Sequence, residues 1–566
     1  MARIWVVDDE PNERFTLYTR ANVGEVFPHV MTALTGSLIG GPIQDGQTAV
    51  FLELGVLRPN EVTGPAVGTG VFGGYLYLSG SVFRLFGVRM PGMSAADVDE
   101  QILGETGDMP PYVRADGDRN LLATLNIART VTTLLRRPDL KVFDQARASA
   151  EAWLATMPDL PTATDQELLD WLDTFGPRQS DSMAHLSRSA MFVGAPRGII
   201  DRLLDRPGVE PGLANRMVGG TGDIDSARLA QRLWTLGRLV ADDASLTAAF
   251  DVGLDGIAER TEASALRPAL DAFLADHGHR CSNEYELAVP AWIMDPAPVY
   301  AAIDRLRSAP AERDPATVGR QLAGDADEAL AEGLASVPRV VRPFLRRCVQ
   351  VARLGSIGRE RAKDILVLEN LGARQVLAEL VRRAAERGGP HDPALAFCVT
   401  ADELSDFVTD PAHYADVIAE RAEQQRYLSE RVPPPWFDGQ IPDPSTWALR
   451  ADAAPDAPEA GAMLTGVAVS GGSAFGPARV ISDPADPRGL DPGDVLVCAI
   501  TDPAWTPLFL AAAAVVCETG AVQSHAAIVS RELGIPAVLS VAGITGITDG
   551  TMLHVDGDAG TVRIGD

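Results

Sequence analysis

The 566-residue chain is long enough for roughly two to four domains, and its composition, 46% apolar and 22% charged, is that of an ordinary globular protein. Its net charge of −28 repels phosphate backbones and anionic lipids, which argues against nucleic-acid and membrane partners. The five scattered cysteines form no CxxC pair, which argues against a zinc site and a disulfide framework. Because no apolar run resembles a signal peptide or a membrane span, we expect a reduced, cytoplasmic protein.

The N-terminal region contains a polar cluster ahead of a helix. Residues 13–40 show the pattern of a short extended segment followed by a helix. Arg20, Asn22 and Glu25 lie at the junction of the two, where a substrate would meet them. The alternative is that these residues are helix caps and surface ion pairs, which is the commoner use of such side chains.

The middle of the chain is predicted to be mainly helical. Residues 71–78 indicate a local strand or hairpin, and from about residue 92 onward apolar residues recur at three- and four-residue steps. Residues 1–430 are therefore predicted to form a large, mainly α-helical domain. The predicted helices span 94–104, 117–137, 139–157, 165–206, 225–242, 244–275, 296–309, 316–334, 337–354, 357–388 and 411–430.

A polar cluster follows the helix that is predicted to end near residue 275. His279, Arg280, Glu284 and Glu286 offer a general base, an anion clamp and orienting carboxylates within a few residues. Glu284 and Glu286 are predicted to bind the substrate or its phosphate. The alternative is a helix C-terminus followed by solvated charges. A zinc site built on His279 and the neighbouring His277 would need further ligands, which the sequence does not indicate.

Two cations lie four residues apart in a helical segment. Arg359 and Lys363 fall on one helix face, where they repel each other unless an anion lies between them or each has a carboxylate partner. This spacing indicates phosphate binding. The alternative is a solvated helix surface, which is the commoner use of such charges.

A proline-rich linker and a small mixed domain end the sequence. Residues 431–461 are rich in Pro, Asp and Ala, a composition typical of a linker that is partly polyproline and partly flexible. Residues 462–566 are predicted to form a compact α/β domain, which such a linker would allow to move as a body. Its predicted helices span 504–511 and 524–533, and its predicted strands span 464–469, 478–481, 495–499, 513–516, 537–541, 552–555 and 561–564.

His525 lies between a predicted buried strand and a predicted helix that runs from about Ser524 to Leu533. The first backbone N–H groups of a helix lack intrahelical partners and the helix dipole is positive there, so a phosphoryl group on this imidazole would be stabilised. A neutral imidazole is also a competent nucleophile near pH 7. The alternative is that His525 is a cap or a surface residue.

The segments 501–508 and 520–538 closely resemble the mobile phosphohistidine domain of the phosphoenolpyruvate-utilising enzymes, among them rifampin phosphotransferase and phenylphosphate synthase. The resemblance covers roughly residues 462–566 and implies that His525 is the phosphorylated residue, with Ser524 beside it at the phosphate. It also implies a small swivelling domain of the β/β/α type. Cys517 replaces the usual threonine and Ala521 replaces a second glycine, which implies slower phosphorylation.

The helical region resembles the acceptor domain of rifampin phosphotransferase and its relatives. The stretch before Trp292 is similar to their Gly-x-Arg-x-x-x-Glu-x-Glu/Asp segment, and the Arg-Glu-x-x-Lys spacing at 359–363 recurs there, although Ala362 replaces a proline. The resemblance implies that residues 1–430 bind the acceptor. It further implies that His279 is a candidate base and that Arg20, Arg280, Arg359 and Lys363 neutralise the transferred group.

The mechanism expected from the resemblance requires a partner. We find no segment that resembles an ATP-grasp domain, and residues 92–430 are too purely helical for a phosphoenolpyruvate-binding barrel. We therefore expect an ATP-grasp partner, which binds ATP and magnesium, to phosphorylate His525. The small domain then swings to the helical domain, where a hydroxyl of a small organic acceptor takes the phosphoryl group. The alternatives are a phosphocarrier or regulatory module without such an acceptor, and a component of an antibiotic phosphotransferase.

Overall fold

The computed structural model describes residues 4–90, 93–99, 109–136, 140–210, 212–220, 225–452, 458–482, 490–501, 505–520 and 524–565. The chain forms two compact units, each described separately below. Unit 1 comprises residues 1–191, 283–289 and 362–453, and unit 2 comprises residues 192–282, 290–361 and 454–566.

The described residues are mainly helical, with a sheet region near the C-terminus, as predicted. The helices are α1 (Val23–Val26), α2 (Ala33–Glu53), α3 (Gly80–Arg89), α4 (Ala95–Val98), α5 (Leu121–Arg136), α6 (Lys141–Leu154), α7 (Asp165–Leu172), α8 (Phe175–Leu204), α9 (Leu213–Val218), α10 (Asp225–Ala241), α11 (Ala244–Asp251), α12 (Ile257–Thr261), α13 (Leu266–His277), α14 (Ala297–Arg307), α15 (Pro315–Ser336), α16 (Arg342–Glu386), α17 (Pro393–Ala396), α18 (Leu404–Thr409), α19 (Ala415–Ser429), α20 (Thr506–Ala511) and α21 (His525–Leu533). The strands are β1 (Leu17–Thr19), β2 (Thr69–Phe72), β3 (Tyr75–Ser79), β4 (Trp436–Asp438), β5 (Met463–Thr465), β6 (Val467–Ser470), β7 (Ser473–Val480), β8 (Val495–Cys498), β9 (Ala514–Cys517), β10 (Ala537–Leu539), β11 (Met552–Asp556) and β12 (Thr561–Ile564).

Unit 1 contains an antiparallel four-stranded sheet in the order β2-β3-β1-β4. The predicted hairpin is confirmed as β2 and β3, which are joined by Gly73 and Gly74. Both glycines have positive φ, 60° and 77°, as a tight two-residue hairpin turn requires. Strand β1 lies in the short extended segment that was predicted within residues 13–40. Strand β4 and its pairing with β1 were not predicted, because β4 has only three residues and its partners are more than 400 positions away.

The stretch predicted as a linker contributes to unit 1. Its strand β4 pairs with β1, and both Phe437 and Trp447 are less than a tenth exposed within an apolar cluster that includes Tyr75 and Tyr77. Proline-rich composition is typical of a linker, but these two aromatic side chains bury too much apolar surface for the segment to stay in solvent. Phe437 and Trp447 therefore anchor this segment in unit 1, where the composition predicted partial flexibility.

Helix α16 is continuous over 45 residues, whereas the sequence predicted two helices with a break near residue 355. Gly355 lies at the predicted break, and a glycine inside a helix costs only about 1 kcal/mol of helix stability. Val351, Ala352 and Ile357, on either side of Gly355, are buried, and their packing outweighs that cost. The helix passes from unit 2 to unit 1 between residues 361 and 362.

Unit 2 contains an eight-stranded mixed sheet in the order β5-β12-β11-β7-β8-β9-β10-β6. Strands β7, β8, β9 and β10 run parallel, and the remaining neighbours are antiparallel. The seven predicted strands and two predicted helices are all present, except that the predicted strand 464–469 is divided into β5 and β6.

The sheet and several helices of unit 2 share one apolar core. Leu233 of α10 and Ile303 of α14 belong to the same buried cluster as Phe509 of α20 and Val529 of α21. The Arg313 guanidinium also donates a hydrogen bond to the Ala512 carbonyl. The predicted boundary at residue 462, and the movement of residues 462–566 as a separate body, stay predictions. In the part of the chain that the structure describes, no helix is both long and apolar enough to span a membrane.

Candidate functional site

The loops after two parallel strands bring Thr501 and His525 together. Strands β8 and β9 pair in register, with Cys498 opposite Cys517, so their carboxyl ends lie at the same edge of the sheet. Thr501 follows β8 and His525 follows β9. The Thr501 Oγ1 atom lies 3.2 Å from the His525 Nδ1 atom, which is hydrogen-bonding distance. Residues 502–504 and 521–523, including Ala521, lie outside the described residues.

His525 is the first residue of α21, as the sequence predicted. Ser524 is the N-cap: its Oγ accepts a hydrogen bond from the Ala527 N–H at 3.3 Å, so its hydroxyl stabilises the helix start. The helix ends at Gly534, whose φ of 62° requires the conformational freedom of glycine. The imidazole therefore lies at the positive end of a nine-residue helix.

The His525 ring is only partly exposed. It packs against the Phe509 ring in a T-shaped arrangement, with the ring centroids 5.9 Å apart and the planes at 78°. Phe509 is fully buried, so it fixes one side of the imidazole. The His525 Nε2 atom is shielded from solvent in this structure. A phosphoryl donor can therefore reach Nε2 only after a local or larger rearrangement uncovers it.

Cys517 has a partner other than His525. It is fully buried, and its Sγ lies 3.5 Å from the Sγ of Cys498 on the neighbouring strand. The hydroxyl near the imidazole instead belongs to Thr501, which the sequence analysis included in the family resemblance but did not name as a site residue. Its position at the end of a predicted strand, in a loop next to that of His525, was the available signal.

Gly520, in the turn before His525, lies against strand β10. A Cβ atom at this position would come within 2.8 Å of the Leu539 Cδ1 atom, so a larger residue would displace the turn. The Gly520 carbonyl accepts a hydrogen bond from Ser540 Oγ at 2.6 Å. The close packing explains the glycine at this position of the turn.

Arg359 contributes positive charge within unit 2. Its Nη2 lies 3.7 Å from Glu360 Oε1. Near the C-terminal end of α21, the pKa of Arg531 is lowered to about 9, mainly by burial; the charges of Arg197 and Arg359 act in the same direction, and Glu532 opposes them. The structure therefore places Arg359 near enough to Arg531 for their charges to interact.

His279 and Arg280 are in unit 2, in the loop after α13, and each is only 3% exposed. The loop folds back on itself: the Trp292 N–H donates to the Arg280 carbonyl at 2.8 Å, and the Ile293 N–H donates to the Gly278 carbonyl at 2.9 Å. His279 and Arg280 are therefore buried, whereas the alternative reading as solvated charges after a helix would leave them exposed. The role of His279 as a base stays a prediction.

Lys363 and Glu284 are brought together in unit 1. The Lys363 Nζ lies 3.5 Å from Glu284 Oε2, and the exposed fractions of the two side chains are 18% and 2%. The spacing of Arg359 and Lys363 predicts that each needs an anion or a carboxylate partner, and Glu284 supplies the carboxylate for Lys363.

Glu286 binds the start of helix α2. Its carboxylate accepts hydrogen bonds from the Thr32 N–H at 3.1 Å, from the Thr32 hydroxyl at 2.9 Å and from the Thr35 hydroxyl. It also accepts one from the Ala288 N–H at 3.1 Å. Both carboxylate oxygens thus have protein donors, and binding of substrate by Glu286 stays a prediction without geometric support in these contacts.

The Arg20 guanidinium is packed on aromatic rings of unit 1. Its Cζ lies 4.3 Å from the centroid of the Tyr75 ring, and its Nη2 donates to the Phe27 carbonyl at 2.8 Å. Burial lowers the pKa of Arg20. Asn22 has a φ of 61° and precedes α1, whose first turn contains Glu25. The three residues lie at the junction of β1 and α1, and their contact with substrate stays a prediction.

Two family models match the chain. Residues 185–360 match the rifampicin phosphotransferase fourth domain, and residues 490–560 match the mobile domain of PEP-utilising enzymes. The second match contains both Thr501 and His525. These matches confirm the resemblance that the sequence motifs indicate.

Curated relatives support the same resemblance. The chain is 31% identical over 319 residues to rifampicin phosphotransferase of Streptomyces sviceus, covering 55% of this chain and 36% of that protein. It is 29% identical over 320 residues to rifampicin phosphotransferase of Bacillus subtilis, covering 55% and 36%. It is 32% identical over 303 residues to the prodigiosin synthesizing transferase PigC of Serratia marcescens, covering 52% and 33%. The chain thus matches about a third of the length of these relatives.

Proposed function

We propose that this chain is a phosphotransferase that carries a phosphoryl group on His525 and delivers it to a hydroxyl of a small organic acceptor. The observation that carries the proposal is the position of the imidazole: it begins helix α21, its Nδ1 lies 3.2 Å from Thr501 Oγ1, and both residues follow parallel strands at one sheet edge. The matched mobile-domain model and the relatives named phosphotransferases support the same reaction class.

In the proposed scheme the Thr501 hydroxyl determines which ring nitrogen reacts. When Nδ1–H donates its hydrogen bond to Thr501 Oγ1, the lone pair of the ring lies on Nε2, and Nε2 is then the nucleophile. Nε2 attacks the β-phosphorus of ATP on an ATP-grasp partner, which supplies the nucleotide and magnesium. A nitrogen–phosphorus bond forms, the bond from that phosphorus to the AMP oxygen breaks, and AMP leaves with a pyrophosphoryl group remaining on Nε2. Water then attacks the γ-phosphorus and releases inorganic phosphate, so that the β-phosphoryl group stays on His525.

The carrier step requires movement. Because Nε2 is shielded from solvent, the loop or the whole of residues 462–566 must shift to expose it to the donor, and must present it again to the acceptor. In the second transfer the acceptor oxygen attacks phosphorus and the phosphorus–nitrogen bond breaks, which regenerates the imidazole. His279 takes the hydroxyl proton in this scheme, while Arg20, Arg280, Arg359 and Lys363 neutralise the oxygens of the transferred group.

The first experiment follows the label. The purified chain is incubated with an ATP-grasp partner, magnesium and ATP labelled at the β-phosphate, and acid-labile label on the protein is measured. We expect label on wild type and on His554→Ala, whose histidine is exposed on β11, and none on His525→Ala. Label that persists on His525→Ala would reject the carrier role.

The second experiment identifies the acceptor class. Labelled protein is separated from ATP and mixed with a simple phenol, with rifampicin, or with buffer alone. Loss of label to the phenol supports the small acceptor, and loss only to rifampicin supports the antibiotic phosphotransferase. Retention with a broad panel of hydroxyl compounds favours a phosphocarrier without a small-molecule acceptor.

A further inference from the structure

A short segment of unit 1 carries Glu284 and is held from two sides. The segment is Asn283–Val289, which belongs to unit 1 although the chain before and after it belongs to unit 2. On one side, the Glu286 carboxylate binds the start of α2, and the Leu287 N–H donates to Thr35 Oγ1 at 3.1 Å. At its beginning, Asn283 adopts a φ of 50°, which is uncommon for a residue other than glycine. Such a conformation persists only where surrounding contacts hold it.

On the other side, two buried polar residues of α16 hold the backbone of Glu284. The Asn370 Nδ2 donates to the Glu284 carbonyl at 3.1 Å. The Arg374 Nη2 donates to the same carbonyl at 2.6 Å and to the Glu286 carbonyl at 3.1 Å. Asn370 and Arg374 are 0% and 2% exposed. They lie seven and eleven residues after Lys363, close to two and three turns, so all three occupy one face of α16.

Arg374 is a costly residue for a merely structural contact. Among the described residues it has no ion-pair partner, and its Nε and Nη1 atoms are buried without a hydrogen-bond partner. Removing a cation from water without pairing it destabilises the fold, and an apolar side chain of similar length would avoid that cost. The shortest hydrogen bond of Arg374 goes to the backbone carbonyl of Glu284, the residue that pairs with Lys363. This contact accounts for an arginine at position 374.

Lys363 is itself unusual in this chain. Lys141 and Lys363 are the only lysines in the sequence, so 47 of the 49 basic residues are arginine. A compact ammonium with three rotatable donors is not equivalent to the planar guanidinium. Position 363 is thus one of two places where the chain uses an ammonium instead of its usual guanidinium, and of the two only Lys363 is largely buried against a carboxylate.

We propose that Asn370 and Arg374 are positioning residues: they fix the backbone of Glu284 so that its carboxylate holds the Lys363 ammonium in the orientation needed for phosphoryl transfer. The proposal deepens the proposed function, on which it rests for the role of Lys363. It assigns Glu284 to the orientation of Lys363, where the sequence had assigned it to substrate.

The test measures the reactivity of Lys363 in the folded chain without using the enzymatic reaction. The full-length protein is treated briefly with trace acetic anhydride, and acetylation of Lys363 and of Lys141 is quantified by mass spectrometry. Lys141 is exposed and serves as the reference within each sample. We expect the Lys363 to Lys141 ratio to rise about fivefold in Glu284→Gln, the factor typical of losing one ion pair.

Substitution of the two positioning residues should change the same Lys363 to Lys141 acetylation ratio. Asn370→Leu and Arg374→Met should each raise the ratio about threefold, because each removes one anchor of the Glu284 backbone. Arg374→Lys keeps a donor and should fall between Arg374→Met and wild type. The matched control is Arg89→Lys: Arg89 is equally buried in unit 1 and bonds Glu61, so its loss should lower stability without changing the ratio.

Two results would overturn the proposal. The first is an unchanged ratio in Glu284→Gln, which would mean that the carboxylate does not restrain Lys363. The second is a ratio that rises in Glu284→Gln but stays at the wild-type value in both Asn370→Leu and Arg374→Met, or rises equally in Arg89→Lys. Failure of the proposed function would appear separately, as absence of label on His525, and would leave these ratios unaffected.

Discussion

The reactive groups of the two units are held by different kinds of structure. In unit 2, His525 lies where a loop becomes a helix, beside Thr501 on a second loop. In unit 1, Lys363 lies within the 45-residue helix α16, and its partner Glu284 is anchored by side chains that are almost completely buried. Loops at strand ends shift at lower cost than residues in a packed helix. A group that must visit two sites belongs on the first kind of structure, and a group that must wait in one orientation belongs on the second.

This difference predicts that mutations in the two units slow different steps of the reaction. Substitutions around His525 should affect charging by the nucleotide donor, whereas substitutions around Lys363 should affect delivery to the acceptor and leave charging intact. Single-turnover measurements separate the two steps, since labelled protein can be isolated between them.

The largest effect is expected for His525→Ala. His525 is the group that forms the nitrogen–phosphorus bond in the proposed scheme, so charging should fall by at least about a thousandfold, to the background of the assay. The measurement is the rate of acid-labile labelling from β-labelled ATP. His554→Ala is the control in the same unit, and it should be labelled at the wild-type rate. Labelling of the His525→Ala protein would contradict the role of His525 as the phosphoryl carrier.

Lys363→Met should slow delivery by about a hundredfold, the loss typical of removing one charged group that stabilises a developing charge. Charging of His525 should be unchanged, because Lys363 belongs to unit 1 and takes no part in that step. Lys363→Arg should recover only part of the rate, since a guanidinium differs in shape from an ammonium. Lys141→Met is the control. A loss in charging equal to the loss in delivery would contradict the separation of the two steps.

The sequence was sufficient for much of unit 2 and for less of unit 1. Hydrophobic alternation and the helix signals around residues 524–533 are local, so they located the strands and the N-terminal position of His525. The anchoring of Glu284 depends on residues 86 and 90 positions away, and nothing near Asn370 or Arg374 marks them as more than helix residues. The pairing of β1 with β4 spans an even longer separation. Contacts of this kind are set by tertiary packing, which local patterns do not encode.

The buried carboxyl group of Glu369, on α16, is expected to make the stability of the protein depend on pH. Burial raises the pKa of Glu369 from 4.5 to about 7. An acid whose pKa is higher in the folded state binds more protons there, so its contribution to stability falls as the pH rises from about 4.5 to about 7. Glu369→Gln removes this loss and should therefore be more stable relative to wild type at pH 8 than at pH 5, by about 1–3 kcal/mol. The measurement is the urea unfolding midpoint at the two pH values.

Glu379, on the same helix, supplies a control of opposite sign. Hydrogen bonds from Arg382 and Arg383 lower the pKa of Glu379 to about 2, so its stabilising contribution is present above about pH 4.5 and is lost only as the pH falls toward 2. Glu379→Gln should therefore lower the urea midpoint by a similar amount at pH 5 and at pH 8. The same pH dependence in both variants would show that Glu369 is not the group responsible.

The smallest effect is expected for Thr501→Val. The valine keeps the shape of the side chain but removes the hydroxyl that lies 3.2 Å from His525 Nδ1. One hydrogen bond of this kind contributes about 1 kcal/mol, so charging should slow about five- to tenfold, with Thr501→Ser close to wild type. Thr506→Val is the matched control, because the Thr506 hydroxyl is buried without a hydrogen-bond partner among the described residues.

Since Thr501 acts only on the imidazole, delivery to the acceptor should slow less than charging once phosphorus is already on Nε2. An equal loss in both steps would mean that Thr501 supports the fold of the loop more than the tautomer of His525, and the loops of unit 2 would then be more rigid than the comparison requires.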